Sequence, residues 1–510
     1  MIESIGPRFT LPEDKTVRAG ALPEKPSGSE ILEQETASIS ADALKAHKAV
    51  KGGKSRKSAG AEKPHSSKVD YPQPNKQNGV FSDCFGKISH LALQLDAQST
   101  EFPALRENVL NAWTTVFKNM DPDVKFTIAV ESQADKKEIE GLIKDNNIPN
   151  PERFNFVMCD DINITMWARD QMLGLFTPTD DTAILNQTTM RPHGDDPKVP
   201  PRLVAANEGI ILDADKRLVT DGGDEVSNSR ETFLGYNSLY LTAKNLFERE
   251  HAPMGIARLE TSPFKKNLVM EYPEGAEQYH VPDFHYEKNA KAKRGNFDEA
   301  LWMDKAKKVF EDKYGKPVTI IGADDPATTE QEVPATFHID MGFTPIDDKT
   351  ILVGDPSVAI DIIKNLPKEE YDAYNQKLSE VFGEKTDYLQ QLVDANTKDD
   401  PGLQHQFDYN AQHAEKKGYD VKRLPYLQGP PGLPWVTYNN CIQETFTRED
   451  GTEVRRVFLP TFGLPALDRK ATEVYESQGF QVIPLVLPAL TSWRGAIRCI
   501  SNVLGRQPEA

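Results

Sequence analysis

The sequence predicts an α/β protein, and three observations carry that reading. Short apolar runs bounded by turn residues alternate with amphipathic stretches of helical length, the alternation starts near Val80 and returns toward the C-terminus, and no short repeat period marks a solenoid. Residues 87–95 alternate as a strand. Leu105, Val109, Leu110, Trp113 and Phe117 then share one helical face. A strand over 125–130 (KFTIAV), a helix around 136–145 and a strand over 154–158 (FNFVM) follow. Later, 350–356 (TILVGDP) is an apolar run stopped by a turn. RRVFLPTFG and DRKATEVYESQGFQVIPL read strand, loop, helix, strand.

Residues 1–79 read as a disordered basic tail, because Lys, Ser, Gly, Pro and Ala dominate and too little apolar surface is available to offset ordering entropy. Within it residues 45–68 carry Lys45, Lys48, Lys51, Lys54, Arg56, Lys57, Lys63 and Lys68 against the single acid Glu62. This is a solvated linker or a targeting segment. Residues 80–510 form the expected catalytic domain, with polar, partly helical insertions near 248–334 and 368–426.

A net charge of -18 argues against general nucleic-acid binding, which needs a basic face to neutralise phosphates. No stretch approaches the roughly 20 apolar residues of a membrane span, and the opening MIESIGPRFT lacks the order of a signal peptide. A cytoplasmic protein is therefore expected, with export by a non-classical route left open. Cys84, Cys159, Cys441 and Cys499 are too scattered for a disulfide framework, and no Cys-x-x-Cys pair suggests zinc. One thiol is then available for chemistry.

Four strings stand out: MWARDQ at 166–171, DGGDEVSN at 221–228, FHIDMGF at 337–343 and WRGAIRCIS at 493–501. Singly, each has a plain reading: Asp170 as a surface turn residue, His338 and Asp340 as metal ligands, Cys499 as a small core thiol. Gly222 and Gly223 mark a tight turn on their own.

Taken together and in this order, the strings resemble the guanidino-group-modifying superfamily, in particular peptidylarginine deiminases and agmatine deiminases, over roughly 81–506. The resemblance implies a pentein-type α/β propeller with pseudo-fivefold symmetry. It implies Cys499 as nucleophile, His338 as acid and base, and Asp170 and Asp340 as a clamp on a guanidinium. Trp167, Arg169, Gly223, Asn440 and Arg498 would line the substrate site, with no cofactor and no metal. The chemistry needs these types together. A guanidinium arrives charged and is a poor electrophile, two carboxylates can fix its plane, and a thiolate can attack the aligned carbon.

The Glu225-Val226-Ser227 run resembles the peptidylarginine version of its motif, so protein or peptide arginine is the expected substrate, giving citrulline and ammonia. Agmatine or free arginine deimination, amidino transfer, and non-catalytic binding of arginine-rich peptides are the alternatives. Two departures stand out. Arg498 occupies the place of a common histidine, where its cation would either favour the Cys499 thiolate or bind a substrate carboxylate. Arg169 and Leu173 replace calcium ligands of the animal enzymes, so calcium independence is expected, with Arg169 paired to an acid such as Glu225.

Overall fold

The computed structural model describes residues 79–177, 182–190, 193–251, 298–322, 338–383, 385–397, 402–430 and 433–507. The expected tail and most of the 248–334 insertion lie outside them. The strands are β1 (Gly79–Val80), β2 (Ile88–Leu95), β3 (Lys125–Val130), β4 (Phe154–Met158), β5 (Leu173–Phe176), β6 (Thr182–Leu185), β7 (Ile210–Asp213), β8 (Glu225–Ser227) and β9 (Thr232–Gly235). They continue as β10 (Val318–Ile321), β11 (Phe343–Pro345), β12 (Thr350–Asp355), β13 (Asp420–Leu427), β14 (Val436–Thr437), β15 (Ile442–Thr447), β16 (Glu453–Thr461), β17 (Gln481–Val486) and β18 (Ser501–Arg506).

Among the described residues these strands make five sheets, ordered β1-β5-β6-β7, β10-β9-β8, β11-β12-β13-β14, β15-β16-β17 and β18-β2-β3-β4. Each contains the same unit: an antiparallel pair, then a helical crossover, then a strand parallel to the second. The pairs are β5/β6, β8/β9, β11/β12, β15/β16 and β18/β2. The parallel partners are β7, β10, β13, β17 and β3. A parallel connection needs a crossover, and a helix lies between each two consecutive strands that pair in parallel. The last sheet joins the early and late parts of the described residues, since β18 pairs with β2.

Local sequence accounts for the elements. The helix Pro103–Asn119 opens on proline, whose missing N–H costs nothing at that position, and buries Leu105, Val109, Leu110, Trp113, Val116 and Phe117. The helix Gln133–Asp145 is capped by Ser132, whose side chain accepts the Asp135 N–H at 3.1 Å. β3 buries every residue after Lys125, as a strand covered on both faces should. Phe126 stacks on Phe154 at 5.1 Å, and Phe117 meets both edge-on, so this core links helix to sheet.

Two boundaries differ from expectation. Residues 318–321, placed in the first insertion, are β10 and pair with β9; residues 420–426, placed in the second, belong to β13 and pair with β12. The second insertion does carry the helices Lys368–Phe382, Tyr388–Thr397 and Gly402–Lys416, but Leu389, Leu392 and Phe407 are buried core residues. All four cysteines are free and buried. No described helix is long and apolar enough to cross a membrane.

Adjacent sheets approach closely where β5 passes β18: a Cβ on Gly174 would lie 2.1 Å from the Val503 carbonyl oxygen. We predict that Gly174→Ala lowers stability by about 1–3 kcal/mol or more, because backbone must shift. Gly141, inside a helix with nothing within 4 Å of its missing Cβ, is the control. Gly141→Ala should stabilise by about 0.4–1 kcal/mol. Urea midpoints measure both, and equal midpoints for the two variants would refute the close approach.

Candidate active site

Each sheet contributes one turn to a common cluster, and in every case it is the turn entering the first strand of the antiparallel pair. Asp170 precedes β5, Asp221 and Gly223 precede β8, His338 and Asp340 precede β11, Asn440 precedes β15, and Cys499 precedes β18. Short 3-10 turns at Gly222–Asp224 and Ile339–Met341 aim two of these groups.

Around the thiol, Asn440 acts as a bracket. Its Nδ2 donates to Cys499 Sγ at 3.2 Å, while its Oδ1 accepts the backbone N–H of Arg498 at 3.1 Å and of Cys499 at 3.3 Å. His338 lies beside the same thiol, and the two influence each other's charge. On its far side Nε2 lies 3.0 Å from Asp221 Oδ2, and Nδ1 lies 3.9 Å from Asp170 Oδ1. Asp221 is itself fixed, its Oδ1 accepting the Met190 N–H at 2.7 Å. A Cβ at Gly223 would sit 2.5 Å from His338 Nδ1, so only glycine lets the ring occupy this place. Trp167, Trp435 and Met341 pack around the sulfur, and a Cβ at Gly495 would strike the Trp167 ring at 2.2 Å.

Burial and neighbouring charge set the protonation states. Cys499, His338, Asp170 and Asp340 are all buried. Burial and the Asp340 carboxylate push the Cys499 thiol up, against the hydrogen bond from His338. Burial disfavours a charged His338, yet Asp170, the Asp221 hydrogen bond and the thiol hold it well above its ordinary value. Both shifts favour a neutral thiol beside an imidazolium over a thiolate beside a neutral ring. Burial also raises Asp340, opposed by Arg498 and His338. Its Oδ2 accepts Arg498 Nη1 at 2.8 Å, and its Oδ1 has no hydrogen-bond partner among the described residues.

No family model and no curated protein sequence matches this chain. Solved structures do. The chain is similar to an agmatine deiminase from C. jejuni at 12% identity, covering 84% of this chain and 97% of that one, with a TM-score of 0.47. It is similar to an agmatine deiminase of Enterococcus faecalis at 10% identity, covering 86% and 98%, with a TM-score of 0.47. A third likeness is to an amidinotransferase from Microseira wollei, at 10% identity, covering 85% and 98%, with a TM-score of 0.34. At such values the functional reading rests on the site's own geometry.

The structure brings Cys499, His338, Asp170, Asp340, Trp167, Gly223 and Asn440 together. Arg169 and Arg498 take a different part from the substrate contact expected of them. Arg169 Nε donates to the Gly222 carbonyl at 2.8 Å, and its Nη2 pairs with Glu225. That pairing is the one anticipated from the sequence. Arg498 Nη2 meets Asp83 Oδ1 at 3.1 Å and the Glu225 carbonyl at 2.8 Å, beside its bond to Asp340. A buried guanidinium requires several acceptors, and the fold supplies them internally. Nor does Arg498 produce a low thiol pKa, since burial and Asp340 prevail at Cys499. Among the described residues no group of three or more His, Cys, Asp or Glu is arranged to hold a metal.

Sequence reasoning missed Asp221, His193 and Trp435. Asp221 heads a string already singled out, and its signal was there to use. His193 Nε2 lies 3.2 Å from Asp170 Oδ2, in a segment with no local pattern. We predict that Asp221→Asn lowers the His338 pKa, because a charge favouring the imidazolium is lost. The alkaline limb of any activity profile that needs this imidazolium should then move to lower pH. NMR titration of the His338 ring checks this, and an unchanged midpoint would remove Asp221 from the account.

Proposed function

We propose that this chain deiminates arginine carried by a protein or peptide, or as the free amino acid, converting the guanidinium to a ureido group with release of ammonia. The observation that carries this reading is a buried thiol, held by Asn440 and neighboured by the His338 imidazole, with buried Asp170 and Asp340 beside the pair.

The guanidinium enters between the two carboxylates, whose oxygens accept its N–H groups and align its central carbon with Sγ. The arriving cation offsets the carboxylate charge that keeps the thiol protonated, so the thiol pKa falls and its proton leaves to solvent. Sulfur attacks, forming the S–C bond as the C=N electrons move onto nitrogen. His338 gives its proton to the departing nitrogen, the C–N bond breaks, and ammonia leaves a cationic thiouronium on Cys499. Neutral His338 then takes a proton from water, whose oxygen attacks the same carbon. The C–S bond breaks, the ureido product forms, and sulfur recovers a proton. Trp167, Trp435 and Met341 keep bulk water from the sulfur.

We read the five sheets as blades around a pseudo-fivefold axis, supported by the strand order they share. The Glu225-Val226-Ser227 run, whose resemblance points to a peptide substrate, is buried, with Glu225 paired to Arg169. The reading further holds that Arg169, with Glu225, orders the Asp170 turn without calcium.

Three measurements test the proposal. Cys499→Ala should abolish ureido formation on a peptide arginine, free arginine and agmatine assayed side by side, with the unfolding midpoint unchanged. Near-normal turnover by that variant would refute the mechanism. Iodoacetamide should inactivate the free enzyme slowly at neutral pH and faster as pH rises above the ordinary thiol range, matching the upward shift at Cys499. Exhaustive chelation should leave turnover intact while Arg169→Gln lowers it strongly; loss on chelation restored by calcium alone would overturn the calcium statement.

A further inference from the structure

The first clamp carboxylate lies between two imidazoles. Asp170 Oδ1 is 3.9 Å from His338 Nδ1, and its Oδ2 is 3.2 Å from His193 Nε2. His338 is buried beside the thiol, whereas the His193 side chain is 30% exposed and meets solvent. The deimination steps use the first ring and leave the second without a task.

The place of His193 is built into the fold. Residues 193–196 are strapped along 163–165, just ahead of the Asp170 turn. The Asp195 N–H donates to the Asn163 carbonyl at 2.7 Å, and Asp195 Oδ2 accepts the Asn163 N–H at 3.1 Å. Asp196 accepts the Thr165 N–H at 2.7 Å, the Thr165 hydroxyl at 2.6 Å and Gln94 Nε2 at 3.3 Å. Gly194 has a φ of 46°, and a Cβ there would lie 2.7 Å from the Asn163 carbonyl oxygen, so the strap requires glycine. These bonds, two and three residues from His193, hold its ring against Asp170.

Asp170, Asp196 and Asp221 face the ring from three segments, while Asp195 is paired with Lys198. Burial disfavours a charged His193, but the Asp170 hydrogen bond and these carboxylates outweigh it and raise the ring above its ordinary range. A guanidinium clasped by Asp170 brings a second cation to the same carboxylate, so substrate and the His193 proton oppose each other. The ring can stay in place. Its Nε2–H continues to donate to Asp170, and the proton on Nδ1 passes to solvent.

We infer that His193 is a positioning residue for the guanidinium clamp, which orients Asp170 through Nε2–H and gives up one proton to solvent when the substrate cation binds. The inference rests on the deiminase reading. Bound guanidinium lowers the His193 midpoint, so affinity rises with pH between the bound and the free midpoints, and one linked proton limits the change to about tenfold per pH unit. Asp196 titrates close by, burial pushing its carboxyl up to about 7, so the test leaves it untouched.

The test is kcat and KM from about pH 6 to about pH 8 for whichever of peptide arginine, free arginine and agmatine is turned over best, with wild type, His193→Gln and His193→Ala. Glutamine offers an amide N–H in place of Nε2–H and does not titrate; alanine removes both. Wild-type KM should fall as pH rises. His193→Gln should keep the wild-type KM at the alkaline end and lose most of the acidic rise. His193→Ala should raise KM about tenfold or more at every pH, the size of a lost hydrogen bond to a charged group, with kcat changing less. A second readout is the His193 ring NMR signal in the Cys499→Ala protein, where the same substrate binds without reacting: its midpoint should drop when substrate is added. An unmoved midpoint, or a wild-type pH dependence of KM that persists in His193→Gln, overturns the inference and leaves deimination standing. Failure of wild type to turn over any of the three substrates overturns both.

Discussion

A cluster of two buried guanidinium groups and three carboxylates, Asp83 half-buried among them, holds the centre of this structure together. Arg498, from the turn before β18, reaches Asp340 before β11, Glu225 at the start of β8, and Asp83 behind β1. Arg169, before β5, reaches Glu225 and the Gly222 carbonyl. Taking such charges out of water is costly, and burial pushes the Glu225 carboxyl up even with Arg169 beside it. Asp83 shows the other balance: burial raises it, but Arg498 and Arg169 prevail and hold it below the usual range. Removing one member would leave its partners charged and unpaired. The turns that present the site are therefore coupled to one another, and few can move alone.

That coupling shapes the chemistry next to it. Arg498 takes one oxygen of Asp340 and so orients the carboxylate, leaving Oδ1 for another donor. The same negative charge that would receive a guanidinium also suppresses thiolate in its absence. A nucleophile kept protonated until a cation arrives is protected from oxidation and from neutral electrophiles, since the thiolate is the reactive form. Asp221 and Asp170 meanwhile favour a charged His338, the form that the proposed deimination requires for protonating a leaving nitrogen.

Much of the fold was legible because local pattern and burial agree. β3 and β4 fall where KFTIAV and FNFVM place them, and the helix Pro103–Asn119 buries the face read from its spacing. The boundaries that failed, β10 and β13, are strands that follow long crossovers. Their pairing partners lie far back in sequence, so no local pattern announces them. The site shows the same division. Cys499, His338, Asp170 and Asp340 sit in strings dense with chemistry, whereas the partners of Arg498 and the contact of His193 with Asp170 depend on which turns the fold brings together. An arginine next to a cysteine in sequence suggested a charge next to a sulfur. In the folded chain the side chain runs toward Asp83, Glu225 and Asp340 because those are the buried acids that need it.

The repeated unit explains how one architecture hosts so particular an arrangement. Every site group is delivered by the same structural position, the turn entering a first antiparallel strand, yet the residues differ: carboxylate, carboxylate with glycine, imidazole with carboxylate, amide, thiol. Sheet pairing is carried by backbone hydrogen bonds, which are indifferent to what the preceding turn presents. Exchange of a single turn residue can therefore alter the chemistry without disturbing the strands. The limit lies at the glycines. Gly223 against His338 and Gly495 against Trp167 leave no room for a Cβ, so those turns are fixed by packing as firmly as the catalytic groups are fixed by charge.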